Sequence, residues 1–101
     1  MSDTLEGRVA LVTGGSRGVG RAISLAMAAD GADVAVIFRK DQDAADAIVS
    51  EITAMGQRAI ACQASVTDYD AIKDVVARVE TELGPVGILV NNAGIASRGK
   101  T

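Results

Sequence analysis

A chain of 101 residues suffices for one small domain and excludes two; such a domain buries roughly 65% of the surface its unfolded chain would expose. It is 49% hydrophobic but only 2% aromatic, so the core must be built from Val, Ile, Leu, Ala and Met, as in buried parallel strands flanked by helices. A net charge of -3 and an acidic pI give no reason to expect nucleic acid or an anionic membrane as partner.

The chain opens with Met1 to Arg8, which carries Asp3 and Glu6 and leads into only a short apolar run. No signal peptide is predicted there, and no later run approaches the ~18 apolar residues of a membrane span. The one cysteine, Cys62, cannot form an internal disulfide, so a reducing, cytoplasmic compartment is expected. Its place in an apolar strand pattern predicts a packing role rather than a reactive one.

Val9 to Val12 is an apolar run of strand length that breaks into glycines at 14, 15, 18 and 20, after which a helical pattern begins. Strand, tight turn and helix follow one another. Glycine lets the chain turn sharply and lets a ligand approach the backbone, while the helix opening at Gly18 offers unpaired N–H groups and the positive end of its dipole. The stretch reads as a cradle for a nucleotide pyrophosphate. A Gly-x-Gly-x-x-Gly fingerprint is absent, the spacing being Thr13-Gly14-x-x-x-Gly18-x-Gly20. A triphosphate-binding loop over Gly15 to Ala22 fails at Arg21, where Lys belongs, and at Ala22, where a metal-binding hydroxyl belongs.

The first helix is predicted from about Val19 to Asp30, with Val19, Ile23 and Met27 on one face and Gly31 as its stop. Asp33 to Phe38 is the second strand. Asp41 or Asp43 caps a second helix whose Ile48, Ile52 and Met55 share a face, and Gly56 ends it. Arg58 to Gln63 forms a third strand. Thr67 or Asp68 caps a third helix, in which Ile72, Val75, Val76, Val79 and Leu83 make the clearest amphipathic pattern of the chain. Gly84-Pro85 stops it, Val86 to Val90 is a fourth strand, and Asn91-Asn92-Ala93-Gly94 with a polar tail closes the sequence.

Strands alternating with helices at this spacing mean right-handed βαβ units, an α/β class and a parallel sheet. For a doubly wound sheet the expected strand order is 3-2-1-4, with ligand outside the carboxyl ends where strands 1 and 4 diverge. Gly14 to Gly20 and Asn91 to Gly94 both fall at that place.

These segments carry a resemblance. Thr13-Gly14-Gly15-Ser16-Arg17-Gly18-Val19-Gly20 matches the Thr-Gly-x-x-x-Gly-x-Gly cofactor motif of the short-chain dehydrogenase/reductase family, and Ile88-Leu89-Val90-Asn91-Asn92-Ala93-Gly94 matches its Asn-Asn-Ala-Gly motif. The chain resembles the N-terminal half of that family, most of all its 3-oxoacyl-carrier-protein reductases. The resemblance implies the first half of a doubly wound (Rossmann) sheet over residues 1–101, holding a nicotinamide dinucleotide. It also implies a homo-oligomeric parent enzyme with a small carbonyl or alcohol substrate. Two positions depart from the family pattern. Ser65 stands where an Asp commonly touches the adenine, leaving that contact to Ser65 or the backbone of Val66, and Gly87 stands where an Asp commonly precedes the fourth strand.

Cofactor choice is read from the end of the second strand, where NAD binders place an acid on the ribose. Here Phe38-Arg39-Lys40 occupies it, with Arg17 in the glycine turn, so a 2′-phosphate would meet charge-assisted donors. NADP(H) is favoured over NAD(H), although Asp41 keeps the second open. The expected cofactor-binding set is Gly14, Gly15, Ser16, Arg17, Gly18, Val19, Gly20, Phe38, Arg39, Lys40, Ser65, Val66, Asn91, Asn92, Ala93 and Gly94, with no metal site.

Family members transfer hydride with a Ser and a Tyr-x-x-x-Lys pair from a later strand and helix, aided by an Asn; none of these is reached within 101 residues. The chain alone is therefore expected to be inactive. Tyr69-Asp-Ala-Ile-Lys73 matches literally but opens the third helix, beside the expected adenine pocket, with no Ser-bearing strand before it. Gly94 to Thr101 spells Gly-x-x-x-x-Gly-Lys-Thr, yet no strand ends in the aspartate such a site needs. A triphosphate binder and a non-catalytic dinucleotide-binding module are the alternatives.

Overall fold

A computed structural model describes residues 5–92. Strand and helix alternate throughout them: β1 (Val9–Thr13), α1 (Gly18–Ala29), β2 (Asp33–Phe38), α2 (Gln42–Ala54), β3 (Ala59–Gln63), α3 (Tyr69–Glu82) and β4 (Ile88–Asn91). The strands form one parallel sheet in the order β3-β2-β1-β4, as expected.

β1 and β2 are buried on both faces, and alternate side chains of each feed two cores. Val9, Leu11, Ala35, Ile37 and Cys62 pack beneath Val75 and Val79 of α3 and its C-terminal cap Leu83. On the opposite face Val12, Val34 and Val36 pack beneath Ala28 of α1 and Ile48 and Ile52 of α2. Helices thus cover both faces, and each fully buried aliphatic side chain contributes about 1.5–3 kcal/mol. Of the alternative caps, Asp41 takes α2, accepting from the Ala44 amide at 2.9 Å, and Asp68 takes α3, accepting from the Ala71 amide at 3.1 Å. Away from the glycine turn, Arg58 donates to the Asp33 carboxylate and to the carbonyls of Glu82 and Leu83, joining β2, β3 and the end of α3.

Three details differ from the sequence reading. The buried line of α1 is Gly20, Ser24 and Ala28, while Val19 is 68% exposed and Ile23 and Met27 flank the contact. The helix lies so close to the sheet that only small residues fit beneath it. Met55 caps the end of α2 and is exposed, leaving Ala45, Ile48 and Ile52 as the buried stripe. β4 starts at Ile88, the partner of Ala10, rather than at Val86; before it the Gly87 amide donates to the Val9 carbonyl at 2.9 Å, and Val86 packs into the core under α3.

Candidate functional site

β1, β2 and β4 end side by side at Thr13, Phe38 and Asn91, so the segments leaving them share one edge of the sheet. Gly14 and Gly18 adopt φ of +65° and +56°, the left-handed conformation that bends the chain back from strand to helix. The Gly14 amide donates to the Ile37 carbonyl at 2.8 Å, tying the turn to β2. α1 then passes directly over the strand end. A Cβ on Gly20 would stand 1.9 Å from the Gly14 carbonyl oxygen and 2.7 Å from Asn92 Nδ2, so no larger residue fits. Ser24, fully buried one turn on, divides its hydroxyl proton between the carbonyls of Gly20 at 2.9 Å and Gly15 at 3.2 Å, supporting the turn from beneath.

The end of β4 is joined to this turn. Thr13 Oγ1 donates to Asn91 Oδ1 at 3.1 Å, and Asn92 Nδ2, of a buried residue, donates to the Gly14 carbonyl at 3.3 Å. Two asparagines that follow one another in sequence therefore hold two different parts of β1 and its turn.

Around the turn opens a cleft of about 590 Å³. One wall is Gly14 of the turn and Ser16 to Val19 at the start of α1; the other is Ile37 to Asp41, with Ala64, Val66 and Asn92 closing the remaining side. Arg17 is the N-cap of α1, with the extended backbone of a cap but no capping bond from its side chain, whereas α2 and α3 are each capped by an aspartate. The first-turn amides of α1 are thus left for solvent or a ligand. A Cβ on Gly18 would meet nothing within 4 Å, which is room for a ligand against bare backbone. The lining carries the cations Arg17, Arg39 and Lys40 against the single carboxylate of Asp41, so its field favours an anion. Gln63 Nε2 fixes the backbone beside these cations by donating to the Arg39 carbonyl at 2.8 Å.

Of the residues singled out in the sequence, Gly14, Ser16, Arg17, Gly18, Val19, Phe38, Arg39, Lys40, Val66 and Asn92 line this one cleft. Gly15 and Gly20 stand behind it as packing positions; a Cβ on Gly15 would lie 2.8 Å from both Ser24 Oγ and Val36 Cγ1. Asn91 faces a second, apolar cleft of about 280 Å³ under α3, walled by Leu11, Ile72, Val76 and Leu89 among others. Ser65 lines neither, its hydroxyl being engaged with that of Thr67 at 2.8 Å. Ala93 and Gly94, with the Gly94 to Thr101 run, lie outside the described residues.

Tyr69 and Lys73 also stand outside both clefts, the ammonium lying 5.6 Å from the ring centroid on exposed helix surface. Cys62 is buried; burial pushes its thiol pKa up, partly opposed by the Arg78 guanidinium, whose Nη1 lies 3.6 Å from the sulfur. Sequence reasoning missed Ile37 and Ala64 as wall residues and Ser24 as the support of the turn. A lone hydroxyl four residues after Gly20 in an apolar helix was the available signal for Ser24.

The model of the short chain dehydrogenase family matches residues 8–101. The chain belongs to that family. It is 50% identical over 95 residues to a short chain dehydrogenase of Pseudocercospora fijiensis, covering 94% of this chain and 30% of that protein. It is 48% identical over 86 residues to the 3-oxoacyl-[acyl-carrier-protein] reductase of Staphylococcus epidermidis, covering 85% of this chain and 35% of the reductase. The crystal structure of a short chain dehydrogenase from Burkholderia cenocepacia in complex with NADP superposes with a TM-score of 0.83 at 52% identity, over 86% of this chain and 36% of that one. The chain therefore spans about a third of the length of the family members it matches. Among the described residues, no helix is long and apolar enough to cross a membrane.

Proposed function

We propose that residues 1–101 are the adenosine- and pyrophosphate-binding part of an NADP(H)-dependent oxidoreductase acting on a carbonyl or alcohol, with 3-oxoacyl thioesters as the first substrate class to assay. The observation that carries this reading is the joining of an uncapped helix N-terminus and three cations in one cleft at the sheet's switch point. In this reading the amides of Ser16 to Val19 hold the diphosphate. Arg17, Arg39 and Lys40 take the 2′-phosphate, and Phe38 and Val66 offer apolar surface beside the adenine. Asn92 borders the same cleft and Asn91 ends β4 beside it, each also bonded to β1 or its turn, and the reading takes both into the cofactor-binding set together with Ala93 and Gly94, which follow them in sequence.

The bound cofactor would supply the hydride. In the family the proton-transfer groups belong to Ser and Tyr-x-x-x-Lys elements, so in this reading the 101 residues alone are inactive; the family resemblance and the single cysteine are what support a cytoplasmic, homo-oligomeric parent. Titration of the full chain by reduced-nicotinamide fluorescence tests the reading. NADPH should bind about tenfold or more tightly than NADH, and ATP with Mg²⁺ should compete poorly. Tighter binding of MgATP, equal binding of NADH, or turnover of a carbonyl compound by the 101-residue chain would each contradict it.

A further inference from the structure

The geometry points to Ser24 as a positioning residue of the cleft: its hydroxyl holds the peptide between Gly15 and Ser16 so that the Ser16 amide faces a bound diphosphate, in a space that only glycine at 15 leaves open. The inference rests on the reading that the amides of the turn hold the diphosphate, and it concerns a helix residue outside the glycine motif. Ser24 lies on the buried line of α1 and is itself fully buried. Its Oγ donates to the Gly20 carbonyl at 2.9 Å, the ordinary bond of a helical serine to the turn before it. The same hydroxyl donates to the Gly15 carbonyl at 3.2 Å, nine residues back and outside the helix. Helix geometry does not require that second bond.

Peptide bonds among the described residues are trans, so the Gly15 carbonyl and the Ser16 N–H point to opposite sides of one plane. With the carbonyl turned down to the buried hydroxyl, the N–H turns out toward the cleft, which Ser16 lines. No hydrogen bond among the described residues engages the Ser16 amide, and it is left for an anion. Without Ser24 the carbonyl would be a buried acceptor lacking this donor, and a rotation of the peptide toward another donor would carry the amide with it. Gly15 completes the arrangement. A Cβ there would stand 2.8 Å from Ser24 Oγ and 2.8 Å from Val36 Cγ1. A methyl at 15 and the hydroxyl in its bonded position compete for one space, which makes residues 15 and 24 a matched pair.

Ser24→Ala removes the bond and keeps a good helix former in place. In fluorescence titrations of the full chain, NADPH and NADH should both bind about fivefold more weakly, the scale of one misdirected charge-assisted hydrogen bond, with their ratio unchanged. Adenosine 2′-monophosphate carries no diphosphate, and its displacement of NADPH should report the same affinity as in the wild type. In a Gly15→Ala background, where the methyl has already turned the hydroxyl aside, adding Ser24→Ala should change dinucleotide affinity less than it does in the wild type. It should also raise the melting temperature of Gly15→Ala, because one of the two closest contacts is gone. Unchanged NADPH and NADH affinity in Ser24→Ala, beside a wild type that prefers NADPH, would overturn the inference and leave the NADP(H) reading standing. An equal loss for adenosine 2′-monophosphate would overturn it as well, since the hydroxyl would then support the whole cleft rather than one amide. A wild type that binds neither dinucleotide would remove the reading and the inference together.

Discussion

Gly20→Ala is the most direct probe of the turn. The added methyl would sit 1.9 Å from the Gly14 carbonyl oxygen, about 1.4 Å inside the roughly 3.3 Å of the closest ordinary carbon–oxygen contacts. The obstructing atom is backbone, held in place because Gly14 donates to Ile37 and its oxygen accepts from Asn92. No rotamer change relieves it. Either α1 lifts from β1 or the turn opens, and either movement loses the Asn92 bond and shifts the amides lining the cleft by more than an ångström. Overpacking of this kind costs about 3 kcal/mol, from which the better helix propensity of alanine returns about 1.

Two companion substitutions calibrate that figure. At Gly15 the nearest atoms are the side chains of Ser24 and Val36, which can yield somewhat, so Gly15→Ala should cost less than Gly20→Ala. At Gly18 nothing stands within 4 Å and only the positive φ opposes a side chain, for about 1 kcal/mol. Urea unfolding of the three variants should rank Gly20→Ala as the most destabilised, by about 2 kcal/mol net, and its NADPH affinity should fall about 100-fold. Unfolding within 0.5 kcal/mol of wild type together with unaltered NADPH binding would show that α1 does not cross the strand end this closely.

Elsewhere the outcomes depend on other parts of the fold. Arg58→Ala removes the guanidinium that bridges Asp33 to the last carbonyls of α3, and because Arg58 is largely exposed the loss should be about 1 kcal/mol in urea unfolding. Burial raises the pKa of Cys62 above its unfolded value, so the folded state holds the thiol proton more tightly. The corresponding stabilisation is complete below the unfolded pKa and is lost as pH rises from about 8.5 through the folded pKa; Cys62→Ala should lessen that alkaline decline in melting temperature. A thiol reagent at pH 8 should label the wild type no faster than it unfolds. Leu89, 65% exposed on a β4 whose only sheet neighbour among the described residues is β1, should drive self-association of the 101-residue chain, and Leu89→Lys should reduce it in analytical ultracentrifugation.

Much of this structure is legible in the sequence because local chemistry and tertiary demand agree. Val9 to Val12 and Val34 to Phe38 are unbroken apolar runs because both faces of a central parallel strand are covered, and Val75, Val79 and Leu83 recur at helical spacing because one face of α3 meets the sheet. The first helix departs from that agreement. Its large residues Val19, Ile23 and Met27 suggest a core face, yet the contact line is Gly20, Ser24 and Ala28. Periodicity reports which side is apolar, whereas the distance of approach decides which residues can stand in the contact. The same limit hides the different tasks of Asn91 and Asn92: strand alternation sends neighbours to opposite faces, but only the turn's own geometry brings Asn92 to the Gly14 carbonyl. Asp41 is readable as a cap, but its approach to Arg17 depends on how α1 and α2 are placed over β1 and β2.

The contrast between the three helix starts leads to one more prediction. Aspartates close α2 and α3, and Arg17 occupies the equivalent place on α1 with its backbone already extended as a cap requires. Had stability alone been at stake, an acceptor there would gain about 1 kcal/mol and would complement the helix dipole besides. Arg17→Asp should therefore raise the urea midpoint of the protein. It should also fill the amides of the first turn from within and set a carboxylate against any diphosphate approaching them, so NADPH and NADH should both lose affinity. A gain in stability together with a loss of affinity for NADH, which has no 2′-phosphate for Arg17 to meet, is the outcome expected if those amides are held in reserve for an anion. An Arg17→Asp variant that is no more stable than wild type, or that binds both dinucleotides unimpaired, would mean that the missing cap has no part in binding.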